Sequence, residues 1–186
     1  MGYQKTEDGT AQYQLSPAER ALALWVAKSR SRVNRSAGVS RNIPNEDQAF
    51  FDSIERLGVE AEMAFAGLVN AYPRLFSASP VSAANGTDPG DVTYKGLTFD
   101  VKATRHPAGR LLWPEDKPTT GAHIAVLMGE VEPGLFEVVG AIETRKIKTP
   151  AHWADELPRP CYAVPRSALD TVRETINRHK GSTCDN

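Results

Sequence analysis

Three residues that could do acid, base or metal chemistry lie close together in the middle of the chain: Asp91, Asp100 and Lys102. Apolar and polar residues alternate from Leu97 to Thr104, which predicts a strand with one buried face. Lys95-Gly96 predicts a two-residue turn before it. That register places Asp91 opposite Asp100, with β-carbons about 4.5 to 5.5 Å apart, and Lys102 on the same face as Asp100. One face of the hairpin would then carry two carboxylates and one ammonium.

Opposed carboxylates destabilise a hairpin unless a cation neutralises them. Mg²⁺ commonly binds one or two carboxylates, several waters and a substrate phosphate, and it can lower the pKa of a bound water. A nearby lysine can orient or deprotonate that water, or offset negative charge that develops on the phosphate. The pattern therefore indicates phosphodiester hydrolysis. The alternative is an ordinary amphipathic strand with a solvated Asp-x-Lys face.

A helix predicted before the hairpin offers two more carboxylates, Glu60 and Glu62. They differ by about 200° around the helix axis, so we expect only one to face the sheet. Glu62 shares a row with Gly58 and Phe65, close to the apolar stripe, and is the candidate site residue; the alternative is a helix carboxylate without a role. We expect Glu60 to face solvent or a neighbouring turn. Gly58 either lets the helix approach the sheet or is an interior glycine that costs roughly 1 kcal/mol.

A helix glutamate, an aspartate near the start of one strand and Asp-x-Lys in the next strand occur here in an order that resembles the PD-(D/E)xK nuclease superfamily. The matching positions are Glu62, Asp91, Asp100 and Lys102. The resemblance implies that these four residues are catalytic. It also implies that the three acids hold Mg²⁺, for which Mn²⁺ would substitute, and that the lysine assists the attacking water. The implied fold is a restriction-endonuclease-like core, and the implied activity is that of a metal-dependent endonuclease acting on DNA. RNA is an alternative substrate, because such a site acts on the phosphodiester and not on the sugar.

The stretch from Gly58 to Pro165 looks more narrowly like small phage and bacterial members of that superfamily whose function is often unassigned. The late sequence Tyr162-Ala163-Val164-Pro165 is part of this likeness. One departure is that Gly90 separates Pro89 from Asp91; Asp88, which precedes the proline, is a weaker substitute. A catalytically silent nuclease-like module is the alternative function. It would bind nucleic acid or protein in phage defence or counter-defence.

Basic side chains after Lys102 are the candidates for contact with the DNA backbone: Arg105, Arg110 and Lys117. Solvated loop cations are the alternative interpretation. His106 is a weaker candidate for a second general base, and Trp113 is expected in the core or at a strand end rather than stacked on a base. The basic cluster from Lys28 to Arg41 is either another phosphate contact or a solvated helix end.

The elements that position these residues predict an α+β fold with a central mixed, largely antiparallel sheet flanked by helices. Ser16-Pro17-Ala18-Glu19 predicts a capped helix start. A second helix is expected from about Asn45 to Tyr72, followed by a meander of at least four strands. A short strand at Cys161–Val164 and a last helix from Ser167 to about His179 complete the prediction. We expect an arm over 1–15, loose or ordered by docking, one nuclease-like domain over 16–180 and a disordered tail over 181–186.

The 186 residues, 40% hydrophobic and 24% charged, are typical of one globular domain and exclude a disordered or fibrous chain. A net charge of −1 excludes a polybasic nucleic-acid binder, so any such binding needs a local patch. The two cysteines are too far apart in sequence to predict a disulfide framework. No apolar run is long enough to span a membrane, so we expect no membrane partner and a cytoplasmic protein of a bacterium or a phage-infected host. A homodimer is expected if both strands of a duplex are cut, since that needs two sites.

Overall fold

The computed structural model of the chain describes residues 2–5, 10–36, 48–71 and 91–183. This part of the chain contains three α-helices, a main sheet of six strands and a smaller sheet of three. The helices are α1 (Pro17–Ser36), α2 (Gln48–Leu68) and α3 (Val172–Thr183). The strands are β1 (Tyr3–Lys5), β2 (Ala11–Gln14), β3 (Val92–Tyr94), β4 (Leu97–Thr104), β5 (Leu111–Pro114), β6 (Ile124–Glu132), β7 (Leu135–Glu143), β8 (Trp153–Ala154) and β9 (Cys161–Val164). The predicted α+β class is confirmed.

The main sheet has the strand order β1-β2-β7-β6-β4-β3. Its neighbouring strands are antiparallel except for β4 and β6, which run parallel. The predicted uninterrupted meander is therefore wrong between these two strands. Residues 105–123 leave the sheet where β4 ends and return to the edge where β4 begins, and β6 starts there. The strand β5 lies in this crossover and pairs with β9 of the smaller sheet. The sheet is mixed and largely antiparallel, as expected.

Both faces of the main sheet are covered, which decides where the polar residues of β4 point. Phe99 and Val101 lie on the face that packs against α1 and α2, and the Phe65 and Phe99 rings are 5.2 Å apart between centroids. The opposite face packs against the smaller sheet through Trp113, Leu127 and neighbouring apolar residues. Because side chains alternate along a strand, Asp100 and Lys102 project from this second face.

The ends of two helices show the same capping arrangement. The Ser16 hydroxyl accepts from the Glu19 N–H at 3.2 Å, and the Glu19 carboxylate accepts from the Ser16 N–H at 2.6 Å, as predicted. The same reciprocal pair forms between Thr171 and Glu174 at the start of α3. The predicted cap at Ser167 is therefore wrong, because Ser167 belongs to a separate 3₁₀ turn.

The second helix is shorter at its end than predicted. It ends at Leu68 and is followed by a turn in which Asn70 has a φ of 52°, a left-handed conformation that asparagine tolerates. Its predicted bounds, Asn45 and Tyr72, lie outside the described residues.

The segment expected to be an arm contributes β1 and β2, which pair with each other, and β2 pairs with the edge of β7. At the other end of the chain, α3 continues to Thr183, past the predicted end near His179. None of the helices in the described ranges is long and apolar enough to cross a membrane.

Candidate active site

The hairpin of β3 and β4 has the register predicted from its turn. Val92 pairs with Phe99, and Tyr94 pairs with Leu97. Lys95 and Gly96 have φ values of 50° and 79°, the left-handed pair that a tight two-residue hairpin turn requires. The local sequence therefore suffices to bring the segment of Asp91 alongside that of Asp100.

Asp91 lies just past the paired end of β3 and closes the hairpin with its side chain. Its backbone N–H donates to the Phe99 carbonyl at 2.7 Å, and its Oδ2 accepts from the Val101 N–H at 2.7 Å. The Asp91 carboxylate thus accepts the hydrogen bond that a backbone carbonyl of a longer β3 would accept on this edge of β4. Because this bond ties Asp91 to β4, the position of the carboxyl is set by the hairpin.

The pKa of Asp91 is raised well above its ordinary value. Burial is the largest cause, and the negative charges of Glu62 and Asp100 raise it further. The opposing effects of Lys102 and of the Val101 N–H are smaller. Two other carboxyl groups therefore act on Asp91, whose carboxyl would be stabilised by a proton or a cation.

Asp100 is 1% exposed and each of its oxygens has a cationic partner. Lys102 Nζ donates to Oδ1, and Lys117 Nζ donates to Oδ2. Burial acts to raise the pKa of Asp100, but the two ammonium groups outweigh it and hold the pKa below its ordinary value. The pKa shifts of Asp100 and Asp91 therefore have opposite directions.

Lys117 was predicted to contact DNA from the loop after β5, and the structure places its ammonium on Asp100. Trp113 fixes this loop, because its indole Nε1–H donates to the Lys117 carbonyl at 3.1 Å. The indole is 1% exposed, in the core as expected, and its ring centroid is 4.8 Å from Lys117 Nζ and 5.6 Å from Lys102 Nζ. Both distances fall within the range of cation–π attraction.

Glu62 faces the interior from α2, next to the hairpin, and its carboxylate has an arginine partner that the sequence pattern does not predict. Arg30 of α1 donates to it through both terminal nitrogens, at 2.7 and 2.8 Å. Arg30 belongs to the basic cluster that begins at Lys28. The sequence shows that the charge is there but not that the side chain points toward Glu62. Because the guanidinium and the carboxylate are both largely buried, this pair joins α1 to the acidic group.

Glu60 is also buried, which corrects the expectation that it faces solvent. It is 1% exposed and pairs with Arg56 at 2.8 Å and with Arg20 at 3.6 Å. The physical reason is that α2 packs on α1 as well as on the sheet, so two of its faces are enclosed. A single amphipathic stripe is the wrong description of this helix.

The other two predicted DNA contacts, Arg105 and Arg110, bind carboxylates outside the acidic group. Arg105 Nε donates to Glu130 at 2.7 Å, and Arg110 donates to Glu156 at 2.9 Å. His106 Nδ1 accepts from the Ala108 N–H at 3.0 Å, within its own loop. Asp88, Pro89 and Gly90 lie outside the described residues.

The oxygens of Asp91, Asp100 and Glu62 are the hard ligands that Mg²⁺ prefers, and a cation would offset the burial and the negative charges that raise the Asp91 pKa. Within the described ranges, however, no three Asp, Glu, His or Cys residues are grouped closely enough to hold a metal ion. Glu62 is occupied by Arg30, and Asp100 by two lysines. The chemistry of the donors therefore fits Mg²⁺ at Asp91 and Asp100, on the condition that an ammonium group leaves Asp100.

Comparison with known proteins found no match to this chain among family models, curated proteins or solved structures.

Proposed function

We propose that this protein is a Mg²⁺-dependent endonuclease of the PD-(D/E)xK type that hydrolyses phosphodiester bonds of DNA. The observation that carries the proposal is the surroundings of Asp91. Its carboxyl group lies in the electrostatic field of both Glu62 and Asp100, with Lys102 beside it. Two aspartates and a lysine on one hairpin, with a helix glutamate next to them, match the donor types and the order that such a nuclease uses.

Each residue has a role in this proposal. Asp91 and Asp100 would hold the metal, and Glu62 is the third carboxylate of the group. When bound, the metal supplies a Lewis acid for the phosphate and lowers the pKa of a water molecule. Lys102 positions the attacking water and offsets negative charge on the phosphate. Burial of Asp100 keeps bulk water from weakening these interactions.

The test is cleavage of supercoiled plasmid by pure protein in Mg²⁺ or Mn²⁺, with a chelator as the metal-free control. We expect Lys102→Ala to lower the cleavage rate at least about 100-fold, the usual contribution of one proton-handling group. Lys95→Ala is the matched control. Lys95 lies in the turn of the same hairpin and is exposed, so its loss should leave the rate unchanged.

The same assay with linear duplex, single-stranded DNA and RNA identifies the substrate. If a folded wild-type protein cleaves none of these with either metal, the proposal is wrong. If Lys102→Ala cleaves as fast as the wild type, the assignment of Lys102 is wrong, even though the protein is a nuclease.

The second candidate is a catalytically silent nuclease-like module that binds nucleic acid or protein. It is favoured by the ion pairs: Arg30 engages Glu62, and two lysines engage Asp100. A set of carboxylates neutralised by the chain's own cations needs no metal. Cleavage separates the two candidates, since the silent module would never cleave DNA, and any DNA binding by it would be equally strong in a chelator.

A further inference from the structure

We infer that Lys117 competes with the divalent cation for Asp100 and, once displaced, binds the substrate phosphate. The inference rests on the proposed function for its second half only. Its first half concerns metal binding and can be tested without any nuclease activity.

Both carboxylate oxygens of Asp100 already have a cationic partner. Lys102 occupies Oδ1 and Lys117 occupies Oδ2, and the carboxylate is enclosed. A dication that binds Asp100 has to share these oxygens with two ammonium groups at hydrogen-bond distance. Like charges so close repel strongly in a partly buried site. At least one ammonium group must therefore move away when the metal enters.

The two lysines differ in how firmly their backbones are held. Lys102 is in the middle of β4, which is bonded to β6 on one side and closed by the Asp91 carboxylate on the other. Lys117 follows β5 in a turn in which its N–H donates to the Pro114 carbonyl at 3.2 Å and its carbonyl accepts from the Trp113 indole; neither is a bond between strands. A turn outside the sheet can shift with less loss of bonding than a central strand. Lys117 is therefore the group that leaves.

The displaced ammonium remains next to the site. The hydrogen bond from Trp113 to the Lys117 carbonyl keeps the turn attached to β5, and the indole face attracts the ammonium. A phosphodiester bound at the metal brings a negative charge to the same place. Its non-bridging oxygens can take over the hydrogen bonds that Lys117 gives up at Asp100.

The first experiment measures Mn²⁺ affinity calorimetrically, without DNA, for the wild type, Lys117→Met and Lys148→Met. Methionine keeps the apolar length of the side chain and removes the charge. Lys148 is the control, because its ammonium is exposed and donates to a backbone carbonyl rather than to an acid of the site. We expect Lys117→Met to bind Mn²⁺ roughly three- to tenfold more tightly, the range in which loss of one competing ion pair falls. Lys148→Met should match the wild type.

Mn²⁺ affinity that is unchanged or weaker in a folded Lys117→Met protein would overturn the inference, as would a lack of Mn²⁺ binding by both proteins. Lys117→Arg, which keeps the charge, distinguishes competition from a packing effect: it should bind Mn²⁺ as the wild type does. If arginine and methionine at this position tighten binding equally, charge competition is wrong.

The second experiment measures binding of a 20-base-pair DNA duplex in Ca²⁺ by fluorescence anisotropy. Lys117→Met should bind the duplex at least about fivefold more weakly, since a lost charge-assisted phosphate contact has about this effect. Tighter Mn²⁺ binding together with weaker duplex binding supports both halves. Tighter Mn²⁺ binding by a protein that never cleaves DNA would leave the competition correct and the proposed function wrong. Unchanged duplex binding would overturn the phosphate half.

Discussion

At the scale of single residues, Asp91 and Asp100 differ although both are acids of one hairpin. Burial and nearby negative charges raise the pKa of Asp91, whereas two lysines hold the pKa of Asp100 low. The opposed carboxylates predicted from the sequence imply that Asp100→Asn relieves repulsion and raises the melting temperature. The two ammonium groups on the oxygens of Asp100 reverse that expectation. Neutralising Asp91 is the change that should relieve the repulsion.

We predict that Asp91→Asn raises the melting temperature in chelator at neutral pH and that Asp100→Asn lowers it. The amide oxygen introduced by Asp91→Asn can still accept from the Val101 N–H, while Asp100→Asn leaves two largely buried ammonium groups without a counter-charge. For this domain size about 1 kcal/mol corresponds to a few degrees. Thermal melts of the three proteins in chelator measure the effect. Equal melting temperatures for the two variants would contradict the contrast.

The pH dependence of the Asp91→Asn effect follows from the direction of the pKa shift. The folded protein holds a proton on Asp91 more tightly than the unfolded chain does. The wild type therefore loses stability as the pH rises from the ordinary aspartate pKa through the raised value. The advantage of Asp91→Asn should therefore grow with pH over the range from the ordinary aspartate pKa to neutral pH, and should be smallest at the acid end. An advantage that shrinks over this range would mean that the pKa of Asp91 is not raised.

At the scale of elements, the two glycines of α2 have opposite surroundings. A β-carbon at Gly58 would meet no atom within 4 Å, whereas one at Gly67 would lie 2.4 Å from the Tyr13 ring. The Tyr13 hydroxyl donates to Glu19 at 3.0 Å, so its ring cannot move away without loss of that bond. Gly58 is an interior glycine that helix packing does not need, and Gly67 is required by the contact between α2 and β2.

We predict that Gly58→Ala stabilises the protein by about 0.5 to 1 kcal/mol, the difference in helix propensity. Gly67→Ala should destabilise it by about 1 to 3 kcal/mol despite the same gain in propensity, because the new methyl group overpacks the tyrosine. Urea unfolding of both variants gives the comparison. Stabilisation by both substitutions would show that the Tyr13 ring can move away from the new methyl group without loss of stability.

The elements also show what the sequence can and cannot predict. The three strand pairs of β3 and β4 were predictable, because Lys95-Gly96 and the alternation of Leu97 to Thr104 are local signals. The fourth predicted pair is absent: Asp91 bonds to the Val101 N–H instead of pairing with Asp100. The pairing of β4 with β6 was not, because a parallel pair depends on where the chain returns after a crossover. The same limit applies to Lys117: the loop was placed correctly in sequence, but its contact with Asp100 depends on the pairing of β5 with β9.

The whole molecule has a net charge of −1, so binding of DNA must depend on local cations. We predict that the affinity for a DNA duplex falls steeply with salt, with a slope of log affinity against log salt of about −0.9 for each phosphate contact. Anisotropy titrations in Ca²⁺ over a range of salt measure the slope. In Lys117→Met it should be smaller by about one contact. An affinity for the duplex that does not change with salt concentration would instead support a protein partner.

At this scale the sequence predicts the candidate site residues well. It does not predict which cations pair with them. Glu62, Asp91, Asp100 and Lys102 were identified from their order and spacing, yet the guanidinium on Glu62 comes from another helix. Arg30 could not be found by periodicity, since a basic helix end has the same pattern whether its side chains face solvent or an acid. Such compensation is a property of the packed fold.

The crossover between β4 and β6 also has a consequence for the order of folding. A hairpin such as β3 and β4 forms within about 1 to 10 μs from local contacts, and it alone brings Asp91, Asp100 and Lys102 together. We expect Lys117 to arrive only after β5 has paired with β9, where Trp113 lies opposite Tyr162, since pairing over such a sequence distance is slow. We therefore expect the aspartates of the hairpin to come together during folding before the second ammonium reaches them. A divalent cation present at that stage meets one lysine at Asp100 instead of two, so it should enter the folding chain faster than the finished protein.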